Sequence, residues 1–350
     1  MPEQPPSRVA VIGAGSFGRN HLRVWRELER AGLPVQLSAI VEPGAAVADN
    51  LAAEYRVPIY RSIDELLVAQ PLPQAASVAV PTSLHFKAAA QLLAAGIDVL
   101  LEKPIADTLE QADDLIQISE RNHRILQIGH LERFNPAVRA VRAIVHRPLF
   151  FEVHRLSVFT PRSLDVDVVL DLMIHDLDVV LRFVQSPIRE LHAVGLPVLS
   201  PKIDIANVRI EFQSGCVANF TASRISTERV RKMRFFQPHQ YISIDYARQD
   251  VLWVDVADSS SHGAFAAAMP FPQAVNFQPA EQRHPTPEFA MKKLEVLAGE
   301  PLRLEMESFL QAVRHRTQPE VSAREGRAAL ALALDIRAAI QEHQSRAGVG

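Results

Sequence analysis

A short apolar run, Val9-Ala10-Val11-Ile12, leads without a break into Gly13-Ala14-Gly15-Ser16-Phe17-Gly18, which opens a helical pattern over 16–31. In that setting each glycine has a task. Gly13 permits a tight strand-to-helix turn, Gly15 leaves room for another group against the backbone, and Gly18 lets helix and strand approach closely. The helix N-terminus then presents N–H groups that have no intrahelical acceptor, and its dipole favours an anion. A second apolar run, 36–41, ends at Glu42, 24 residues beyond Gly18. A carboxylate there accepts both hydroxyls of an adenosine ribose and repels a 2′-phosphate. Strand, glycine turn, helix and acid together point to a dinucleotide site, and to NAD over NADP. The glycines alone would equally describe an ordinary α/β turn, with Glu42 a solvated strand end.

The surrounding pattern extends this unit. β-branched runs at 8–12, 36–41, 57–60, 76–80, 97–102 and 125–129 alternate with helical stretches at 16–31, 45–55, 63–69, 84–95 and 107–121. Such alternation predicts a doubly wound parallel sheet, with ligands beyond the carboxyl ends of its strands. After Pro136 the texture changes. A helix over 136–146 and a long strand over 149–158 precede an apolar helix at 166–184. Runs at 188–199, 205–213, 216–225, 232–245 and 250–256 then follow one another with no helices between them. Consecutive strands predict an antiparallel sheet, hence an α+β second domain. The stretch 257–286, rich in Ala, Ser, Pro, Gln and His, reads as a long loop, and helices at 302–315 and 322–344 close the chain. We divide the sequence into a dinucleotide-binding domain, 1–130, and a second domain, 131–350.

Composition narrows the function classes. A net charge of −3, with both signs spread along the 350 residues, gives no basic surface for nucleic acid. No apolar stretch approaches the roughly 18 residues that a bilayer span needs, and the first residues lack the basic-then-apolar order of a secretion signal. A single cysteine, Cys216, cannot form an internal disulfide and fits a cytoplasmic setting. Among 13 histidines there is no HExxH and no paired-cysteine spacing, so no metal site is expected.

Three groups of residues carry chemistry. Glu102-Lys103-Pro104 ends the run Asp98-Val99-Leu100-Leu101, which places Lys103 at the carboxyl edge of a parallel strand. An ammonium there can stabilise an alkoxide forming on a bound alcohol, although a lysine at a strand end is also an ordinary solvated charge. In the helix around Val168 to Asp178, Asp171, His175 and Asp178 stand at i, i+4 and i+7, one polar stripe on an otherwise apolar segment. His175 suits removal of a hydroxyl proton near neutral pH, with Asp171 orienting its ring. The same stripe could instead face water or a subunit interface, and as a metal site it lacks further ligands. Third, His130, Glu132, Arg133 and Asn135 follow the last parallel strand, where a substrate cleft is expected. Arg155, Arg162 and Ser163 offer contacts to an anionic substrate, although each is also an ordinary surface residue.

Taken in order, Gly13 to Gly18, Pro81-Thr82-Ser83-Leu84-His85, Glu102-Lys103-Pro104 and Asp171-x-x-x-His175 match one known pattern. The chain resembles the glucose-fructose oxidoreductase/inositol dehydrogenase/MocA family over nearly its whole length. That resemblance implies a Rossmann domain, an antiparallel-sheet domain and oxidation of a sugar hydroxyl by a nicotinamide cofactor. Lys103, Asp171 and His175 fall on the family's catalytic lysine, aspartate and histidine positions. Gly13, Gly15, Ser16, Phe17, Gly18, Glu42, Pro81, His85, Glu102 and Lys103 fall on its cofactor side. The stretches Gly129 to Val138 and Arg162 to Asp176 look like the branch that acts on nucleotide sugars, similar to UDP-N-acetylglucosamine 3-dehydrogenases. The implied substrate contacts are Lys103, His130, Glu132, Arg133, Asn135, Arg155, Arg162, Ser163, Asp171 and His175. A pyridoxal-phosphate aminotransferase as pathway neighbour is implied by the family alone, whereas a homodimer or homotetramer is expected from the family together with a sheet face of the second domain left to pair with a partner sheet. A free-sugar or inositol dehydrogenase, or a catalytically silent NAD-binding sensor, stays open at this point.

Overall fold

The computed structural model describes residues 5–159, 166–256 and 289–348. The chain forms two units, Met1–Phe134 with Gly299–Leu332 and Asn135–Ala298 with Ala333–Gly350.

In the first unit, six parallel strands are β1 (Ser7–Ile12), β2 (Val35–Val41), β3 (Ile59–Tyr60), β4 (Ala75–Val78), β5 (Asp98–Glu102) and β6 (Leu126–Gly129). Their order, β3-β2-β1-β4-β5-β6, is that of a dinucleotide-binding sheet, with the switch point between β1 and β4. Val9 to Ile12 are buried, as a central parallel strand covered on both faces requires. Helices α1 (Ser16–Arg30), α2 (Ala45–Tyr55), α3 (Ile63–Val68), α4 (His85–Ala94) and α5 (Leu109–Arg121) connect the strands. Ser62 caps α3 at Glu65 N and Thr108 caps α5 at Gln111 N, so both start where a side chain supplies the missing acceptor.

Helix α1 buries His21, Leu22, Trp25 and Leu28, an i, i+1, i+4, i+7 stripe. Trp25 Nε1 donates to Ser77 Oγ at 2.7 Å. Leu22, Trp25 and Leu28 share one core cluster with Met306, Phe309 and Leu310 of α8 (Pro301–His315). Each large side chain buried there contributes about 1.5–3 kcal/mol. That packing puts 299–332 in the first unit, whereas the division expected from sequence assigns everything after 130 to the second. Amphipathicity fixes which face of α8 is buried but not which core receives it.

The second unit carries α6 (Pro136–Val141), α7 (Ile174–Val184) and an eight-stranded sheet. Its strands are β7 (Phe150–Leu156), β8 (Ile188–Leu196), β9 (Ile205–Phe212), β10 (Val217–Ser223), β11 (Val230–Gln237), β12 (Gln240–Asp245), β13 (Asp250–Val256) and β14 (Phe289–Leu294). They run in the order β14-β13-β12-β11-β7-β10-β9-β8, antiparallel except at β7/β10. The stretch read as one strand over 232–245 is a hairpin: Pro238 cannot donate to a ladder, and His239 takes φ 62 in the turn. Helix α9 (Ala323–Ala347) has residues in both units. The expected loop 257–286 lies outside the described residues.

One face of this sheet keeps an apolar row in register. Val217, Phe150, Phe236, Tyr241, Val254 and Met291 stand opposite one another on six neighbouring strands. Five of the six are half-buried and Phe236 is exposed. Ring centroids of Phe150 and Phe236 lie 5.7 Å apart, and those of Phe236 and Tyr241 5.0 Å.

Candidate active site

The glycine turn has the geometry that its sequence asks for. Gly13 has φ +85, and a Cβ there would meet Ala79 O at 2.9 Å. A Cβ on Gly18 would collide with the Gly13 carbonyl. Gly15 differs, because a Cβ added to it meets nothing within 4 Å. The N-cap of α1 is Gly15, with no side-chain cap and no acidic residue in the first turn, so no side chain of the helix claims its N–H groups. Glu42 closes the turn from the side: Oε2 accepts from Ala14 N at 3.0 Å and Oε1 from Gly44 N at 2.9 Å. Space over Gly15, unclaimed amides and a carboxylate at the end of β2 fit a dinucleotide.

The end of β5 is built around a buried carboxylate. Glu102 accepts from His21 Nε2 at 3.0 Å, and both residues are buried. On the other side the carboxylate lies against Gly129 of β6, where a Cβ would meet Oε1 at 2.8 Å. Sequence reasoning missed His21; its signal was a polar residue on the apolar stripe of α1. Lys103 follows, half-buried, with a cis peptide to Pro104. His85 is buried, with Nδ1 2.7 Å from Pro104 O and Nε2 3.0 Å from Val80 O, and so staples the β4–α4 loop to the Glu102-Lys103-Pro104 turn. Burial pushes its imidazole down, against the opposing pull of those two carbonyls. Ser16 and Pro81 are exposed, and Phe17 is exposed with its ring edge-on to His21.

β5 and β6 pair in register at Glu102 and Gly129, so Lys103 and His130 each stand one position beyond that pair. His130 is buried, and neither ring nitrogen has a hydrogen-bond partner. Burial pushes its pKa down to about 3, with the charges of Arg133 and Lys103 acting in the same direction. Glu132 and Arg133 are buried in the turn that follows. Arg133 Nη2 pairs with Glu325 Oε1 at 2.6 Å. Burial opposes ionisation of Glu325, but Arg133 and the Ser322 bonds outweigh it and hold the carboxyl below its usual range. The turn is thus locked within the first unit.

In the second unit, the segment Val169–Met173 is wound as a π-helical turn that runs into α7. Such turns are rare and concentrate at functional sites. Asp171 lies inside it and His175 begins the α-helical part; both are half-buried, whereas Asp178 of the same stripe is buried. Asp167 Oδ1 accepts from Val169 N at 3.0 Å and Leu170 N at 3.1 Å, and its Oδ2 lies 2.8 Å from Arg337 Nε. Arg155 and Asn135, expected at the substrate, have internal partners here. Arg155 is buried against Asp176, and Asn135 Nδ2 donates to Tyr246 O at 3.1 Å. Arg162 and Ser163 lie outside the described residues. No group of three His, Cys, Asp or Glu suited to a metal occurs among the described residues, and no helix among them is long and apolar enough to cross a membrane.

Known proteins share this architecture. The pattern of an oxidoreductase family with an NAD-binding Rossmann fold, GFO/IDH/MocA, matches residues 7–130, and that family's C-terminal domain matches 137–238. UDP-N-acetylglucosamine 3-dehydrogenase of Acidithiobacillus ferrooxidans is 33% identical over 340 residues, covering 97% of this chain and 99% of its own. A solved structure of that enzyme superposes with a TM-score of 0.82 at 30% identity, over 97% of this chain and 99% of the other. Inositol 2-dehydrogenase of Leifsonia xyli is 32% identical over 196 residues, 54% of this chain and 56% of its own. The chain therefore belongs to the glucose-fructose oxidoreductase/inositol dehydrogenase/MocA family and is an oxidoreductase that uses a nicotinamide cofactor.

Proposed function

We propose that the chain is an NAD-dependent dehydrogenase, oxidising the 3-hydroxyl of UDP-N-acetylglucosamine to the 3-keto sugar in the cytoplasm. The observation that carries this reading is the 33% identity to a UDP-N-acetylglucosamine 3-dehydrogenase along 97% of the chain. The inositol dehydrogenase likeness spans only 54% of it. Preference for NAD rests on Glu42, whose carboxylate holds the glycine turn from the ribose side and would repel a 2′-phosphate.

In this reading His175 takes the hydroxyl proton, and Asp171, four residues earlier on the helix, orients the imidazole. Lys103 donates to the same oxygen while negative charge builds on it. A dinucleotide held by the glycine turn and Glu42 would supply the hydride acceptor for the carbinol carbon. Gly13, Gly15, Ser16, Phe17 and Gly18 receive the pyrophosphate. His85 and Glu102 hold the turns that present Pro81 and Lys103. The buried residues His130, Glu132, Arg133, Asn135 and Arg155 support the site from within their own units, and Arg162 and Ser163 serve the substrate. The keto product suits a pyridoxal-phosphate aminotransferase as the next step, towards the amino sugars of lipid A or surface glycans.

The decisive experiment mixes the purified protein, NAD and UDP-N-acetylglucosamine and follows near-ultraviolet absorbance of the reduced cofactor. Steady reduction is expected. Turnover of inositol or a free sugar with none of the nucleotide sugar would replace the substrate, and cofactor binding without turnover of any of them would favour a sensor. We also propose a homodimer or homotetramer in which the apolar row through Phe150, Phe236 and Tyr241 meets a second copy. Light scattering tests this, and a mass of 38.8 kDa would overturn it.

A further inference from the structure

Arg155 and Asp176 form a bidentate ion pair inside the second unit. Nε lies 2.6 Å from Oδ2 and Nη2 2.9 Å from Oδ1, and each side chain is 2% exposed. The guanidinium carbon sits 5.2 Å from the ring centroid of Tyr246, whose backbone oxygen accepts from Asn135. Asn135 Oδ1 in turn accepts from Ala137 N and caps α6. The pair is thus built into β7, the end of β12 and the start of α6.

Two charges taken out of water are a poor way to gain stability, because apolar side chains of similar size commonly hold a core equally well. What the apolar alternative lacks is direction: a guanidinium fork and a carboxylate meet in one planar geometry. Direction matters here because Asp176 directly follows His175. Successive residues of a helix are turned by about 100°, so fixing one side chain to a strand fixes the azimuth of its neighbours. The other end is already held. Asp167 binds the first amides of the π turn and Arg337, and Val168 N donates to Ile203 O at 3.0 Å.

We propose that Arg155 and Asp176 are positioning residues that set the direction in which α7 presents His175. The inference rests on the role given to His175 under the proposed function. Among the motifs of the sequence, Arg155 stood as an anion contact; here it acts through the helix.

The test is the double variant Arg155→Met with Asp176→Leu, which replaces the pair by apolar groups without leaving either charge alone. We expect cooperative thermal unfolding and unchanged UDP-N-acetylglucosamine affinity. We also expect a kcat lower by about 10²-fold, the scale of loss for a misdirected reacting group, and a displaced limb in the pH profile of kcat/KM. A folded double variant with wild-type kcat and pH profile would overturn the proposal. Should the double variant not fold, Arg155→Lys, which keeps the charge but not the fork, takes its place with the same readouts. Histidine-selective 15N spectra, with His175 identified through His175→Gln, give a second readout that needs no turnover. A shifted or averaged His175 signal is expected in the variant, and an unchanged one counts against the pair. If the wild-type protein turns over no nucleotide sugar, the proposed substrate fails, and the spectra alone decide on Arg155 and Asp176.

Discussion

His21 Nε2 lies 3.0 Å from Glu102 Oε1, joining the helix that follows the glycine turn to the strand end that carries Lys103. The imidazole is fully buried and the carboxylate nearly so, so neither has water to fall back on. Replacing His21 by Phe would leave Glu102 unsatisfied, at a cost of about 1–3 kcal/mol. We expect a lower melting temperature together with weaker NADH binding in a fluorescence titration. His21→Gln, which keeps a donor at the same reach, should restore much of both. An unaltered His21→Phe protein would remove the joint from any functional account.

Gly15 and Gly18 should respond in opposite ways. A Cβ on Gly18 would run into the Gly13 carbonyl, so Gly18→Ala must push helix and turn apart, and we expect a loss of about 1–3 kcal/mol in thermal unfolding. A Cβ on Gly15 meets nothing. Gly15→Ala should stay within about 0.5 kcal/mol of the parent, while cofactor affinity falls because the methyl occupies the approach to the backbone. Equal cofactor affinity in Gly15→Ala and wild type would move the pyrophosphate elsewhere.

Glu42 carries the choice between the two nicotinamide dinucleotides. Glu42→Ala takes away a charged acceptor from Ala14 N and Gly44 N and removes the repulsion of a 2′-phosphate. In the proposed site the same carboxylate also accepts from the ribose hydroxyls of NAD; bonds to charged groups contribute about 1.5–3 kcal/mol, and each 1.4 kcal/mol is about tenfold. The ratio of kcat/KM for NAD to that for NADP should therefore drop by at least about tenfold. A ratio that does not change would detach Glu42 from cofactor choice.

The parts that sequence made legible share a cause: they are local. A glycine that must take positive φ, an acid at a strand end and a proline after Lys103 act within a few residues, and the parallel sheet of the first unit, though not its strand order, follows from the alternation of strands and helices. In the second unit, the π turn and α7 fell within the apolar helix expected over 166–184. Long-range partners were hidden. Arg155 and Asn135 were placed at the substrate because a charged or amide group near an expected cleft can contact a ligand, and nothing nearby in the sequence names Asp176 or Tyr246 as their partners. His21 was passed over for the same reason, Glu102 being 81 residues away. The hairpin at Pro238-His239 escaped because an apolar run on each side masked a two-residue turn.

Lys103 gives a sharp kinetic test. One preorganised donor aimed at a developing oxyanion contributes about 3 kcal/mol, or about 10²–10³ in kcat. Lys103→Ala should lose that much in kcat, a larger change than in NADH affinity read by fluorescence, since Glu102 and His21 stay in place. Lys103→Met separates charge from packing. Equal loss in both variants assigns the effect to the ammonium, and retained turnover in either would strip Lys103 of its proposed role.

His130 sets an acid limit on the fold. Its imidazole is held neutral, with a folded-state value near 3 against 6.5 in the unfolded chain, because burial and the charges of Arg133 and Lys103 all oppose protonation. Between those two values the unfolded chain binds a proton that the folded chain does not. Stability therefore falls as pH falls from 6.5 towards about 3, by roughly 1.4 kcal/mol per unit for this one group. His85, pushed down by its own burial, adds to the same slope. The variant His130→Phe has no proton to take up, so its stability between pH 6.5 and 4.5 should decline less steeply, by about one proton's worth. Urea unfolding at several pH values measures this directly. A variant slope equal to that of the parent would mean that the imidazole is protonated in the folded protein, with Glu102 and Glu325 as the acids near enough to hold the charge.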